Sequence, residues 1–180
     1  MSDRHKPRRD LDELVAALYS TLRKTAARAL GPSPGRRSIS PTDIVHDCYL
    51  KLARGQGLGT LSGAEFLALA ATAIRTLLVD HARRRQTLKR GAGHGRITLS
   101  GTLIDQRASI DLTELDAALT VLAGLDPRMA RIVELRFFAG MSVGEVARAL
   151  GVSASTVAGD WTMAKAWLHR ELEGAIGPSP

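Results

Sequence analysis

Apolar residues recur at the spacing of an α-helix along most of this chain. In the first such stretch, Leu11 and Leu14 are followed by Val15, Leu18 and Leu22, so that all five side chains share one helical face. A long run of alternating apolar and polar residues, which a half-buried β-strand needs, is absent from the sequence. The pattern therefore predicts an all-α protein with little or no sheet.

Helix-breaking clusters and capping signals divide the first half of the chain into three helices. The first predicted helix ends at the glycine- and proline-rich segment 31–35. The second begins at Ser40, where Pro41 suits the first helical position and Asp43 completes a capping box. The third is predicted over residues 62–90, from another Ser-x-x-Glu capping signal.

A linker and four further helices make up the second half. Residues 92–110 predict a flexible linker with at most a short extended piece. Capping signals then start helices at Asp111, Asp126, Ser142 and Ser153. The prediction is two small helical domains, one of three helices and one of four, joined by the linker. The first domain is predicted over residues 10–91, the linker over 92–110 and the second domain over 111–174. Residues 1–9 are expected to be a disordered N-terminus, and residues 175–180 a tail.

Charge is unevenly distributed along the chain. The formal net charge is +7, from 25 Lys and Arg against 18 Asp and Glu. Through Gly91 there are 17 basic and 8 acidic residues, a net charge of +9, and from Ala92 onward 8 basic and 10 acidic, a net charge of −2. The excess indicates a polyanion partner for the first half. Solvated basic faces with an arginine-rich N-terminus are the alternative explanation.

Several classes of protein are excluded by composition. The single cysteine, Cys48, rules out an intrachain disulfide framework and a multi-cysteine zinc site. His46, Asp47, Cys48 and His81 repeat no paired ligand spacing, so we expect neither a metal nor a cofactor. Apolar stretches are far shorter than the roughly 18 residues of a membrane helix, and the polar N-terminus is not a secretory signal, so we expect a cytoplasmic protein. Catalytic triads, phosphate-cradling loops and paired catalytic carboxylates are missing, so an enzyme is not expected.

The segment SVGEVARALGVSASTVAGDWTMAKAWL has the spacing of a helix-turn-helix motif. Ala147 falls where the two helices cross, Gly151 in the turn that needs a left-handed backbone, and Val157 where the second helix packs on the first. In such a motif the second helix lies in the major groove of DNA. A helical hairpin with accidental spacing is the alternative. The candidate base-contacting residues are Ser153, Ser155, Thr156, Ala158, Gly159, Asp160, Thr162 and Lys165.

The predicted reading helix is poor in positive charge. Lys165 is its one cation near the start, and Asp160 opposes it. Because phosphate neutralisation supplies much of the affinity for DNA, we expect this module to bind DNA weakly on its own. Trp161 and Trp167 are predicted to lie in the core rather than against DNA.

Three stretches in this order resemble a small sigma factor of the extracytoplasmic-function (ECF) type, in the sigma-70 family. AIRTLLVDHARRR looks like the helix that melts promoters and contacts the −10 element, and ISPTDIVHDCYLKLAR looks like the polymerase-binding helix of region two. LAGLDPRMARIVELRFFAGMSVGEVARALGVSASTVAGD looks like region four. The resemblance runs from about Leu11 to Glu173. It implies a dissociable subunit of bacterial RNA polymerase that selects promoter DNA.

The resemblance also implies roles for individual residues. The −35 element would be contacted by the candidates in the final helix, and the loop 55–62 would hold a flipped −10 base. Contacts to −10 DNA are implied for Arg75, Thr76, Asp80, His81, Arg83, Arg84 and Arg85. Contacts to polymerase are implied for Ser40, Thr42, Asp43, His46 and Asp47. The alternative for the three consecutive arginines is a solvated helix end favoured by the helix dipole.

The polymerase-binding helix departs from the family pattern at its start. Where the family has Asp-x-Glu-Asp, this chain has Ser40, Pro41, Thr42 and Asp43. Phosphorylation of Thr42, or of Ser40, would restore about −1.5 to −2 charges there. The sequence resembles a subgroup with a PT-x-[LI]-VH start that is thought to be controlled by a Ser/Thr protein kinase instead of an anti-sigma factor. In the alternative interpretation, Ser40 is only a helix cap and Thr42 only a surface residue.

Other functions are compatible with the same motifs. One is a stand-alone helix-turn-helix regulator that binds a palindromic operator as a dimer, with the N-terminal helices for dimerisation or sensing. Another is an adaptor or decoy that binds polymerase without contacting DNA. A separate hypothesis concerns regulation: the two halves would dock, acidic on basic, when polymerase is absent.

Overall fold

The structure is a computed structural model that describes residues 6–30, 39–54, 61–88, 96–98 and 109–175. In these ranges it contains seven helices and two short strands. The elements are α1 (Lys6–Leu30), α2 (Pro41–Leu52), α3 (Gly63–Leu88), β1 (Arg96–Thr98), β2 (Ser109–Asp111), α4 (Leu112–Leu125), α5 (Pro127–Phe138), α6 (Val143–Leu150) and α7 (Ala154–Ala175). The predicted all-α class is confirmed, with three helices before the linker and four after it.

Serine caps begin several helices where the sequence predicts them. At α2, the Asp43 amide donates to Ser40 Oγ at 3.2 Å and the Ser40 amide donates to Asp43 Oδ2 at 2.7 Å. The same reciprocal pair forms between Ser142 and Glu145 at α6. Each box satisfies backbone donors that a helix leaves without an internal partner.

The start of the first helix differs from the sequence-based expectation. α1 begins at Lys6, so residues 6–9 of the N-terminus that was expected to be disordered are helical. Pro7 then lies in the first turn, where the missing amide proton is not needed. α3 is described to Leu88, and the last two residues of its predicted range lie outside the described residues.

Two segments of the predicted flexible linker form a short pair of β-strands. β1 and β2 run antiparallel, with Ile97 opposite Ile110 and Arg96 opposite Asp111. β-Branched residues favour extended backbone, but three-residue strands are too short to produce a recognisable alternating pattern. The prediction of a linker over 92–110 allowed for a short extended piece, and the described strands are two such pieces.

Both halves have buried apolar side chains, and these form one contiguous core. Leu22, Ile44 and Phe66 are buried among α1, α2 and α3, and Leu119 and Leu168 are buried in the second half. The two halves also lie against each other, since α3 packs on α4, α5 and α6, and α1 packs on α5.

The turn between α5 and α6 approaches α1 closely. Gly140 in this turn has φ +70°, and a Cβ there would lie 2.7 Å from Thr25 Oγ1 and 3.4 Å from Arg28 Nη2. Both the left-handed backbone and the lack of space therefore require glycine at this point.

Candidate nucleic-acid interface

The helix-turn-helix has the geometry that its spacing predicts. Gly151 has φ +65° and caps α6, and the Val152 amide donates to the Ala147 carbonyl oxygen at 3.1 Å. Ala147 and Val157 are buried between α6 and α7. Because no atom lies within 4 Å of the position of a Gly151 Cβ, the backbone conformation alone accounts for glycine there.

The start of α7 presents small polar groups to solvent. Ser153 Oγ accepts from the Thr156 amide at 3.0 Å and lies 2.8 Å from Ser155 Oγ, so it caps the helix. Most of the predicted −35 residues are exposed: Ser153, Ser155, Ala158, Gly159 and Thr162. The remaining three are half-buried: Thr156, Asp160 and Lys165.

The acidic residue of this face is paired with a cation from α5. Asp160 Oδ2 accepts from Arg128 Nε at 2.7 Å. The hydrogen bond to Asp160, and then its charge, raise the pKa of the Arg128 guanidinium. Arg128 thus reduces the repulsion that Asp160 would exert on a phosphate. Sequence reasoning did not identify Arg128, because 32 residues separate the two partners.

The two tryptophans lie on the inner side of α7. Trp161 is buried, which confirms its prediction as a core residue, and Trp167 is half-buried and packs against the core. The Lys165 ammonium lies 5.7 Å from the Trp161 ring centroid and the Arg136 guanidinium 4.7 Å from it. Both cations are therefore drawn toward the ring by cation–π attraction.

Two of the predicted −10 residues of α3 form hydrogen bonds with the second half of the chain. Arg75 Nε donates to Asp116 Oδ1 at 2.9 Å, and Arg83 Nη2 donates to Asp116 Oδ2 at 3.2 Å. The Arg75 and Asp116 side chains are each 20% exposed, whereas Arg83 is 61% exposed. A cavity of about 260 Å³ lies at this junction, with Asp80 of α3 and Glu134 of α5 in its wall.

The other α3 candidates differ in exposure. Thr76 is half-buried and its hydroxyl donates to the Thr72 carbonyl oxygen at 2.8 Å. Asp80 and His81 are half-buried and Arg84 is exposed. The Arg85 side chain and residues 55–60 of the predicted base-holding loop lie outside the described residues.

The predicted polymerase-binding residues share the outer side of α2. Ser40 is half-buried, and the other four are exposed: Thr42, Asp43, His46 and Asp47. The backbone and then the hydroxyl hydrogen bond from Ser40 hold the pKa of the Asp43 carboxyl below its usual range, so its negative charge is retained.

The opposite side of α2 is buried. Cys48 lies there, and burial raises the pKa of its thiol to about 12. His46 and Asp47 face solvent, so they do not converge with Cys48 on a ligand. Within the described ranges, no group of three or more His, Cys, Asp or Glu side chains is arranged to hold a metal ion.

Comparison with known families gives a match over nearly the whole chain. A family model described as ECF sigma factor matches residues 8–174. The chain belongs to the ECF sigma factor family. No curated protein and no solved structure matches the chain. Members of this family bind RNA polymerase and direct the initiation of transcription at promoters.

In this sigma factor, the predicted promoter-contacting residues lie on two helices of different halves. The α7 candidates are mostly open to solvent, whereas Arg75 and Arg83 of α3 are engaged by the second half. Helices of the described ranges include none that is long and apolar enough to cross a membrane.

Proposed function

We propose that this sigma factor binds core RNA polymerase through the exposed side of α2 and directs it to promoters, with α3 at the −10 element and α7 at the −35 element. The observation that carries the proposal is the helix-turn-helix, in which the left-handed Gly151 joins α6 to an α7 whose first turns are exposed. That geometry suits insertion of α7 into a major groove.

The side chains of α7 allow a close approach to DNA but supply little electrostatic attraction to it. Ala158 and Gly159 are exposed and small, so the helix can lie deep in a groove, while Ser155 and Thr162 supply hydroxyls for base edges. Phosphate contacts would depend on few cations, among them the exposed Arg148 of α6. We expect promoter binding to require polymerase, because so few cations supply little electrostatic affinity.

The proposal is tested by run-off transcription with core polymerase on promoter fragments. Two asymmetric elements upstream of the start site, and a requirement for core polymerase, would support it. Tight binding to a palindromic operator without polymerase would instead favour a stand-alone dimeric regulator. Polymerase binding with no selectivity for DNA would favour an adaptor or decoy.

Phosphorylation of Thr42 is proposed as the switch for polymerase binding. Thr42 is exposed in the first turn of α2, directly before Asp43, so a phosphate there would join an existing negative charge. Helix N-termini favour anions, and the phosphate adds about −1.5 to −2 charges. The Ser40 hydroxyl already accepts from the Asp43 amide as the cap, which makes Thr42 the better phosphorylation site of the two. The enzyme would be a Ser/Thr protein kinase.

The switch is tested by pull-down of core polymerase with unmodified protein, kinase-treated protein, Thr42→Glu and Thr42→Ala. We expect Thr42→Glu and kinase treatment to strengthen binding, and Thr42→Ala to abolish the response to the kinase. Ser20→Glu is a matched control, because it adds a negative charge at an exposed position on α1. Strong binding by unmodified protein, unchanged by kinase treatment and by Thr42→Ala, would refute the switch.

A further inference from the structure

We infer that the second half of this sigma factor is an intramolecular inhibitor of the first, in which Asp116 of α4 occupies the α3 arginines that would otherwise contact promoter phosphates. The inference rests on the proposed function of α3 in binding −10 DNA. It does not involve a separate inhibitory protein, because both partners of the contact belong to this chain.

The Asp116 carboxylate accepts hydrogen bonds from two guanidinium groups at once. Arg75 donates to Asp116 Oδ1 at 2.9 Å and to the Asp116 carbonyl oxygen at 3.2 Å, while Arg83 donates to Asp116 Oδ2 at 3.2 Å. A carboxylate presents two anionic oxygens to arginine in the same way that a phosphate does. Asp116 and a DNA phosphate therefore compete for the same donors.

A second polar contact fixes α5 against α3. Arg131 Nη2 donates to the Ala68 carbonyl oxygen at 3.1 Å and Nη1 donates to Thr72 Oγ1 at 3.0 Å. Its guanidinium also pairs with Glu134 of its own helix, whose side chain is largely buried. This contact holds α5, on which α4 packs, against the same helix that carries Arg75.

A third contact lies on a different helix of the first half. Gly140 approaches Thr25 of α1 so closely that a Cβ would clash with the threonine hydroxyl. Together with the contiguous apolar core, these contacts define one docked arrangement.

Docking covers the two predicted DNA surfaces unequally. Arg75 is 20% exposed and pairs with Asp116 of α4, whereas Ser155, Ala158 and Gly159 of α7 are exposed. The docked molecule would therefore present its −35 surface while Arg75 of its −10 surface is engaged by Asp116, although Arg83 and Arg84 stay exposed. Separation of the halves, driven by polymerase or by DNA, would then be required for promoter opening.

The first test measures DNA binding by Asp116→Asn, which keeps the shape of the side chain and removes its charge. Glu114→Gln is the matched control, since it makes the same change of net charge at an exposed position two residues away on α4. With a short fluorescent DNA fork that exposes single-stranded −10 sequence, we expect Asp116→Asn to bind about two- to fivefold more tightly, because a larger fraction of the molecules then has Arg75 available for DNA. Equal affinities of the two variants would overturn the inference.

The second test locks the docked state by a covalent bond. Thr25→Cys with Gly140→Cys places two thiols at the close approach of α1 and the α5–α6 turn, where a disulfide bond would replace the 2.7 Å contact between a Cβ at position 140 and the Thr25 hydroxyl. Because a cysteine is strained at φ +70°, we expect this variant to be less stable than the parent protein, so binding is compared only within the variant, before and after reduction. Cys48 will not interfere, because it is buried and its thiol pKa is raised to about 12. We expect the oxidised protein to bind the DNA fork at least tenfold more weakly than the same protein after reduction. Equal binding before and after reduction would overturn the inference.

Small-angle X-ray scattering separates this inference from the proposed function. We expect the parent protein and its oxidised Thr25→Cys, Gly140→Cys variant to have the same radius of gyration, because both are docked. A larger radius for the parent protein would overturn the docking inference even if the protein directs transcription. If the two radii agree but no variant binds the fork or supports run-off transcription with polymerase, both the proposed function and the inhibitory role are wrong.

Discussion

At the scale of single residues, two glycines with left-handed backbone have different physical causes. Gly151 has open space around its missing side chain, so only its positive φ requires glycine. Gly140 has a positive φ and also touches Thr25 across the two halves. The sequence predicts the first, because it belongs to a local motif. The second depends on a neighbour more than a hundred residues away, and no local pattern reveals it.

Replacement of Gly151 therefore isolates the cost of backbone strain. We expect Gly151→Ala to lower the free energy of unfolding by about 1–2 kcal/mol, because a non-glycine residue is strained at φ +65°. The measurement is urea unfolding followed by circular dichroism.

Gly144→Ala is the matched control, since Gly144 lies within α6 and a Cβ there would meet Arg148 Nη1 only at 3.8 Å. It should raise the free energy of unfolding by about 0.5–1 kcal/mol, because alanine is the better helix former. Equal effects of the two substitutions would contradict the assignment of the strain to the turn.

At the scale of elements, the helix caps are local and were predictable. Ser40 with Asp43, and Ser142 with Glu145, form the reciprocal hydrogen bonds that the Ser-x-x-acid spacing predicts. The β1–β2 pair was not predictable in the same way, because its stability depends on residues from both ends of the linker meeting in space.

Loss of a cap should destabilise α6 measurably. We expect Ser142→Ala to lower the free energy of unfolding by about 1 kcal/mol, since it removes the acceptor for the Glu145 amide. Thermal unfolding monitored by circular dichroism measures the effect. Ser20→Ala, at an exposed position on α1, is the control and should leave the melting temperature unchanged.

The Glu145 carboxylate adds a pH dependence to the same cap. Hydrogen bonds from the Ser142 backbone and hydroxyl lower the pKa of Glu145 in the folded protein. Its contribution to stability is therefore complete above the ordinary pKa of glutamate and is lost as the pH falls through the lowered value. Urea unfolding across the acid range should show a shallower decline for Glu145→Gln than for the parent protein. Parallel curves would show that the carboxylate is not linked to folding.

At the scale of the whole molecule, ion pairs between the halves should couple their stabilities. In a double-mutant cycle of Arg75→Gln and Asp116→Asn, we expect a coupling free energy of about 0.5–1 kcal/mol that falls with added salt. The two side chains are each 20% exposed, so screening is partial. A cycle of Arg128→Gln with Asp116→Asn is the control, because Arg128 pairs with Asp160 instead. Equal coupling in both cycles would contradict a specific contact.

The amino-acid sequence by itself determined the number and order of the helices, the caps at Ser40 and Ser142, and the turn at Gly151. These features depend on residues within one or two helical turns of each other, so periodicity and spacing predict them. Only the tertiary structure decided which charges meet. Arg75 pairs with Asp116 at a separation of 41 residues, and Arg128 with Asp160 at 32. Such pairs form because helices pack across the linker, and a sequence pattern carries no record of which helix faces come together.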